Sequence, residues 1–385
     1  MRLEGRDIVC VGTADWQTEL PINQHQLMGR LAARNEVLFV ESLGLRRPQL
    51  AGRDLRRIWR RLLRGLRGVR AGDGGVHVLS PLVLPFHGSA AVRSLNRRLL
   101  RFQVGWAARR LKMRRPLLWG YAPQAEELLD VLDPERVVYH CVDDVAAQKG
   151  VDGDSFRAGE ERYARRADLV LASAPALAER MRTLSDHVLY APNVADTALF
   201  ATALEEGPVD ASLDSLPRPR LVFQGAIVAT KLDLPLLAEL ARLRPEWSVV
   251  LVGPKGAGDP GGDLSALDRA PSIHFAGPRD AADLPVVLRG ADIGLIPYAI
   301  NDLTRSVFPM KVYEYLAAGL PVLATPLPAL EGVEGVERVA DADELVAAVE
   351  RELGLDDPQR RRQRSQAAAA HSWETRIEEI EAALG

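Results

Sequence analysis

Short runs that are apolar on both faces, each followed by a segment of helical spacing, recur along almost the whole chain. In the first half they are 7–12 (DIVCVG), 36–42 (EVLFVES), 76–81 (VHVLSP), 115–121 (RPLLWGY), 136–144 (RVVYHCVDD), 168–174 (DLVLASA) and 187–193 (HVLYAPN). Helical patterns fall between them, near 22–34, 89–112, 123–131, 155–167 and 175–184. A strand with no polar face must be covered on both sides, so this alternation predicts α/β architecture with a doubly wound parallel sheet. A polar stretch at 205–219, broken by Gly207, Pro208, Pro217 and Pro219, interrupts the pattern and reads as a linker. The alternation restarts at 220–226 (RLVFQGA), 247–253, 272–277, 292–297 and 321–325. Two Rossmann-like domains facing across a cleft are expected, the first over 1–205 and the second over 206–371.

Ligands of open parallel sheets sit beyond the carboxyl ends of the strands, so the residues just after each run carry the information. Gly225 follows RLVFQ, and six residues on comes Lys231, one of 5 lysines in a chain with 44 arginines. A strand-end glycine permits close backbone approach, and an ammonium beyond it is a compact charge for a diphosphate. Gly253-Pro254, Gly277-Pro278 and Pro297-Tyr298 end the next three strands, an edge suited to a flat base and a ribose. In 306–330 (SVFPMKVYEYLAAGLPVLATPLPAL), Pro309 suits a first helical turn, and about three turns are expected to run to Gly319. The helix start, Phe308 to Lys311, would offer amides and a positive dipole end to an anion. One turn on, Glu314 beside Met310 could accept bonds from vicinal hydroxyls. A phosphate site with a hydroxyl acceptor one turn away is what a nucleoside diphosphate requires. The plainer readings are that Lys231 opens an ordinary helix and that Glu314 is a surface carboxylate paired with a neighbour.

These residues resemble the nucleotide-sugar domain of GT-B glycosyltransferases, in particular the retaining group called glycosyltransferase family 4 or group 1. Gly225 and Lys231 match its strand, Gly and Lys; Glu314 with 316–322 (LAAGLPV) matches the second Glu of its Glu, seven residues, Glu motif and the A-x-G-x-P-V run after it. Ala191-Pro192-Asn193 with Asp196 and Phe200 resembles its interdomain segment. The chain departs from the pattern at Ser306, where the first Glu would stand, at Ala226 in place of Arg, and at Val194 in place of Gly. The resemblance implies transfer of a sugar from a UDP- or GDP-sugar to a glycan or lipid-linked acceptor, with retention; no metal is expected, since the sequence holds no His, Asp and Glu cluster of ligand spacing. It also implies a terminal helix, 372–385, packing back on the first domain through Trp373, Ile377, Ile380 and Leu384. The departures keep a second reading open, a non-catalytic GT-B module that binds nucleotide or a partner enzyme. A dinucleotide dehydrogenase is disfavoured, because neither VGTADW nor QGAIVATK supplies G-x-G-x-x-G.

Charge is uneven. Residues 1–115 hold 23 Lys and Arg against 8 Asp and Glu, net +15, and the remainder holds 26 against 44, net −18. Within 53–70, Leu55, Ile58, Trp59, Leu62, Leu63 and Leu66 take one helix face while six arginines fill the other. Such a helix either lies on an anionic membrane surface or docks on its own sheet with a solvated Arg face. Nucleic acid is not expected, since no aromatic residues interleave the basic run in a recognition pattern. No run nears the roughly 18 apolar residues of a membrane span, and the start lacks a signal-peptide core, so a cytoplasmic protein, at most peripheral on the membrane's inner face, is expected. Cys10 and Cys141 sit in apolar runs as buried thiols. His140 and His25 are candidates to bond a sugar hydroxyl or move a proton on the acceptor side, with Asp143 and Asp15 next; a structural role for each histidine is the alternative.

Overall fold

The computed structural model describes residues 1–18, 21–43, 68–84, 90–148, 150–256, 259 and 262–385. Contacts divide the chain into two units, Met1–Pro192 with Ile377–Gly385, and Asn193–Arg376.

The first unit is built on an eight-stranded sheet of order β3-β4-β2-β1-β5-β6-β7-β8. Its strands are β1 Asp7–Val11, β2 Glu36–Val40, β3 Val69–Ala71, β4 His77–Leu79, β5 Leu117–Gly120, β6 Arg136–Cys141, β7 Leu169–Ala172 and β8 Val188–Tyr190. All pair in parallel except β3 with β4. Helices cover both faces, which is why Ile8, Val9, Val11, Leu38 and Phe39 are fully buried and no central strand alternates in polarity. Burial pushes the thiols of Cys10 and Cys141 up, so both stay protonated and unreactive at neutral pH. Most of the basic 53–70 segment lies outside the described residues. Its end departs from the expected helix: Val69 and Arg70 belong to the edge strand β3, and the buried Glu41 holds the Arg70 guanidinium at 2.6 Å.

The second unit has six parallel strands in the order β11-β10-β9-β12-β13-β14. They are β9 Arg220–Gln224, β10 Ser248–Val252, β11 Ile273–Gly277, β12 Ile293–Ile296, β13 Val322–Ala324 and β14 Val336–Arg338. Strand order reverses between β9 and β12, so the connections leave these two in opposite directions and open a crevice at their carboxyl ends.

The division falls after Pro192, ahead of the polar 205–219 stretch, because residues 193–204 pack within the second unit. Asn193 donates to the Phe308 carbonyl at 2.7 Å, and the short helix Thr197–Ala201, capped by Asp196, lies against the helix Lys311–Ala317. The helix Trp373–Ala383 starts in the second unit and counts with the first from Ile377. There the Met1 ammonium donates to the Glu381 carbonyl at 2.8 Å, and the Leu3 amide to the Glu381 carboxylate at 2.5 Å.

Candidate active site

The candidate site grows from two strand-end glycines at the reversal. Gly225 has φ +136° and Gly253 φ +142°. A Cβ on Gly253 would lie 2.1 Å from the Gly225 carbonyl oxygen, and one on Gly225 would lie 2.8 Å from Lys311 Cε. Only glycine fits either position. The same edge continues through Gly277, whose carbonyl accepts from the Gly253 amide at 2.9 Å, and through Pro254, whose carbonyl accepts from Ile227 at 3.0 Å.

Lys311 occupies the space that Gly225 leaves. Its ammonium lies 5.4 Å from the Phe223 ring centroid and 5.6 Å from that of Tyr298, and donates to the Tyr298 hydroxyl at 3.1 Å. Burial pulls its pKa down, but the Tyr298 hydroxyl and the Glu314 carboxylate outweigh that and raise it, so the ammonium stays charged. Lys231 reaches the same place from a loop. The Asp233 amide donates to the Pro297 carbonyl and Ala299 to the Lys231 carbonyl, both at 2.8 Å, so 231–233 runs antiparallel to 297–299 with Leu232 opposite Tyr298. Tyr298 registers both cations: burial pushes its hydroxyl up, while Lys311 and Lys231 together bring it below the usual phenol value.

Helix Lys311–Ala317 is about two turns, shorter than the three expected from sequence. Gly319 at φ +79° closes it, with the Gly319 amide bonded to Leu316 at 2.9 Å and Leu320 to Tyr315 at 3.0 Å, the paired bonds of a Schellman motif. The Val312 and Tyr313 amides bond back to Pro309 and Met310, so the Met310 and Lys311 amides precede the first helical acceptor. Phe308 and Pro309 are buried. Phe308 stacks on Tyr313 at 5.6 Å and Tyr313 on His371 at 4.0 Å, which fixes the turn from below. Met310 and Ser306 are half-buried, Ser306 in the turn Thr304–Ser306.

One partner of Glu314, and the residue that holds that partner, escaped the sequence reading. Gln224, the last residue of β9, donates its side-chain amide to the Glu314 carboxylate, and its backbone amide donates to the Tyr315 hydroxyl at 2.9 Å. Tyr315 gets that close because a Cβ on Gly294 would meet its ring at 2.5 Å. The available signal was a polar residue closing an otherwise apolar run, RLVFQ. Gln224 Oε1 is buried and makes no hydrogen bond among the described residues. Burial raises the Glu314 pKa, with Lys311 and Gln224 offsetting only part of it. An anionic Glu314 is the form that accepts hydroxyls. Ligand binding through it is therefore expected to fall as pH drops, starting above the ordinary carboxylate range, and Glu314→Gln to flatten that acid limb in a titration series. Gln224→Leu removes the bond to Glu314 and is expected to weaken the same binding about tenfold by calorimetry.

In the first unit, Asp15 and His25 come after β1, His140 is the penultimate residue of β6, and Asp143 lies just beyond that strand. His25 Nδ1 accepts from the Ile22 amide at 3.2 Å, and Nε2 faces the Asp15 carbonyl at 2.9 Å. Burial lowers its pKa, and the ring packs against Trp16 and Phe39. This neutral imidazole ties the loop after β1 to the helix Asn23–Ala32, with both nitrogens engaged by backbone. His140, 2% exposed, stacks on Tyr121 at 4.7 Å, and the Asp143 carbonyl accepts from Val145 at 3.0 Å. Among the described residues no group of three His, Cys, Asp or Glu side chains is placed to hold a metal ion, and no helix is long and apolar enough to cross a membrane.

Residues 218–354 match the family Glycosyl transferases group 1, a span that opens on β9 and contains Gly225, Lys231, Tyr298, Lys311 and Glu314. The second unit carries a group 1 glycosyltransferase domain. Over 285 residues, 68% of this chain and 70% of the relative, the protein is 28% identical to TuaH of Bacillus subtilis (strain 168), named as a teichuronic acid biosynthesis glycosyltransferase. Two solved structures share its fold at 16% identity. Sucrose-phosphate synthase (tll1590) from Thermosynechococcus elongatus aligns with a TM-score of 0.67 over 98% of this chain and 97% of its own. Anabaena Alr3699/HepE, in complex with UDP, aligns with 0.67 over 98% and 99%. The two parallel-sheet units of this glycosyltransferase thus form a GT-B fold.

Proposed function

We propose that this glycosyltransferase takes its sugar from a UDP- or GDP-sugar bound at the carboxyl ends of β9 and β12, and passes it with retention to a glycan or lipid-linked acceptor bound by the first unit. The observation that carries the reading is the convergence of Lys231 and Lys311 on Tyr298, over the glycine edge, with Glu314 one turn away. In the transfer the bond from the sugar's anomeric carbon to the phosphate oxygen breaks, and the diphosphate keeps the electron pair. A bond forms from that carbon to the acceptor oxygen, which gives up its proton. The charge that develops is on the diphosphate, where two fixed ammonium groups stabilise it most. Glu314 accepts the ribose hydroxyls, and the edge at Gly253, Pro254 and Gly277 receives the base. His140 and Asp143 are the proposed groups on the acceptor side.

The UDP held by HepE supports a uridine donor, and the named pathway of TuaH supports an acceptor that is an envelope polysaccharide precursor. The basic 53–70 segment supports work at the inner face of the cytoplasmic membrane. Two measurements test the chemistry. Proton NMR of the first product formed is expected to show the donor's anomeric configuration; the opposite anomer refutes retention. Turnover is expected to persist in EDTA, because the lysines carry the diphosphate charge; abolition by EDTA with recovery on adding a divalent ion refutes the metal-free reading.

A further inference from the structure

The longest helix among the described residues of the first unit, Ala90–Arg110, carries an apolar stripe on its outward side. Leu95, Phe102 and Trp106 are 44%, 67% and 41% exposed, and the half-buried Leu99 lies between them. The four recur at i, i+4, i+7 and i+11, a single helix face about 16 Å long at the usual rise. The opposite side does the packing, through the buried Leu100, Val104, Ala107 and Ala108. Single exposed apolar residues are ordinary; a continuous row is an interaction surface.

The charges around the row say what kind of partner it fits. On the helical wheel Arg98 and Arg109 flank it on one side and Arg110 on the other, the last lying 5.6 Å over the Trp106 ring. Arg97 and Arg101 point further round, where Glu127 at 3.8 Å and Asp130 at 3.4 Å match them. Among the described residues no carboxylate pairs with Arg98, Arg109 or Arg110. Beside the stripe, Gly68 approaches Trp106: a Cβ there would lie 3.4 Å from the ring. The chain thus re-enters the described residues from its most basic stretch at one end of this row. A row of Leu, Phe and Trp rimmed by cations suits an interface whose apolar layer lies just beneath a negatively charged one.

We propose that this face docks on an anionic phospholipid bilayer, with Phe102 and Trp106 entering the headgroup layer and Arg98, Arg109 and Arg110 at lipid phosphates. This deepens the lipid-linked acceptor reading and leaves the donor reading untouched. The test is flotation of the full chain with vesicles of phosphatidylcholine, with and without phosphatidylglycerol, at low and high salt. The protein is expected to float only with the anionic vesicles at low salt. Phe102→Ser/Trp106→Ser is expected to weaken that binding about tenfold, and each of Arg98→Glu and Arg109→Glu about fivefold or more. Melting temperature and donor hydrolysis should match the parent protein in all of them, so failure of the donor reading shows separately. Undiminished flotation of the double variant overturns the proposal. So does a lower melting temperature with flotation intact, which would mark the face as covered by residues 44–67 of the chain. A concentration-dependent dimer lost in the double variant, with no vesicle binding by the parent, would assign the face to a second copy and also overturn it.

Discussion

Lys231→Ala is expected to cut turnover of the nucleotide sugar about a hundredfold, the loss typical when one fixed stabiliser of developing charge is removed, while the melting temperature stays in place. The two outcomes separate because the structural part of Lys231 is its backbone. Its amide bonds to Val228 at 3.1 Å and its carbonyl to Ala299 at 2.8 Å, and an alanine keeps both bonds. What the substitution removes is the ammonium beside Tyr298. Lys311→Ala is a less clean experiment, since that side chain also fills the gap over Gly225 and packs near Phe223 and Tyr298. Stopped assays of nucleoside diphosphate release, with a thermal melt of the same sample, give both readouts. A variant that turns over like the parent removes Lys231 from the site.

Gly253→Ala is expected to destabilise the second unit by at least about 3 kcal/mol and to abolish nucleotide binding with it. At φ +142° a side chain is strained before any neighbour is considered, and the Gly225 carbonyl oxygen 2.1 Å from the new methyl is backbone that cannot swing aside. Relief would require the ends of β9 and β10 to part, breaking the Gly225 amide bond to the Val252 carbonyl at 2.8 Å. Gly256→Ala is the control. It shares a positive φ, +70°, but has nothing within 4 Å of the new atom, so it should cost only the conformational strain. A denaturant series on the three proteins orders them: parent, then Gly256→Ala, then Gly253→Ala. Equal midpoints for the two variants would show that the close approach of the strand ends carries no energy.

The parallel strands were legible because burial on both faces leaves an unbroken apolar run, and such runs have few other uses in a soluble domain. Of the edge strands, β8 and β11 were legible, while β3 and β14 were not. β3 and β14 are three residues each, Val69–Ala71 and Val336–Arg338, half-exposed, and their sequences VRA and VER show no period. The strand-end glycines were legible as punctuation, yet the reason for them was not, since nothing in the chain order says that Gly253 faces the Gly225 carbonyl. Gln224 and Tyr315 stayed hidden for a similar reason: the Tyr315 hydroxyl that accepts from the Gln224 amide is in place only because of Gly294, some twenty residues before Tyr315 and on another strand. Gly319 was legible as the stop of the helix at 311; the helix is shorter than expected because it begins at Lys311 and the Schellman bonds at Gly319 leave Ala317 as its last residue. His25 was legible as a residue near a strand end; that its two nitrogens are taken by Ile22 and Asp15 backbone is tertiary information.

The central claim is that the nucleoside diphosphate sits on the glycine edge with its phosphates at the two lysines, and a crystal structure of the protein with UDP or GDP tests it most directly. The account predicts diphosphate oxygens within about 3 Å of Lys231 and Lys311 Nζ, ribose hydroxyls on the Glu314 carboxylate, and the base along Gly253 and Gly277. A bound nucleotide whose phosphates contact neither lysine, or whose ribose leaves Glu314 bonded only to Gln224, would contradict it.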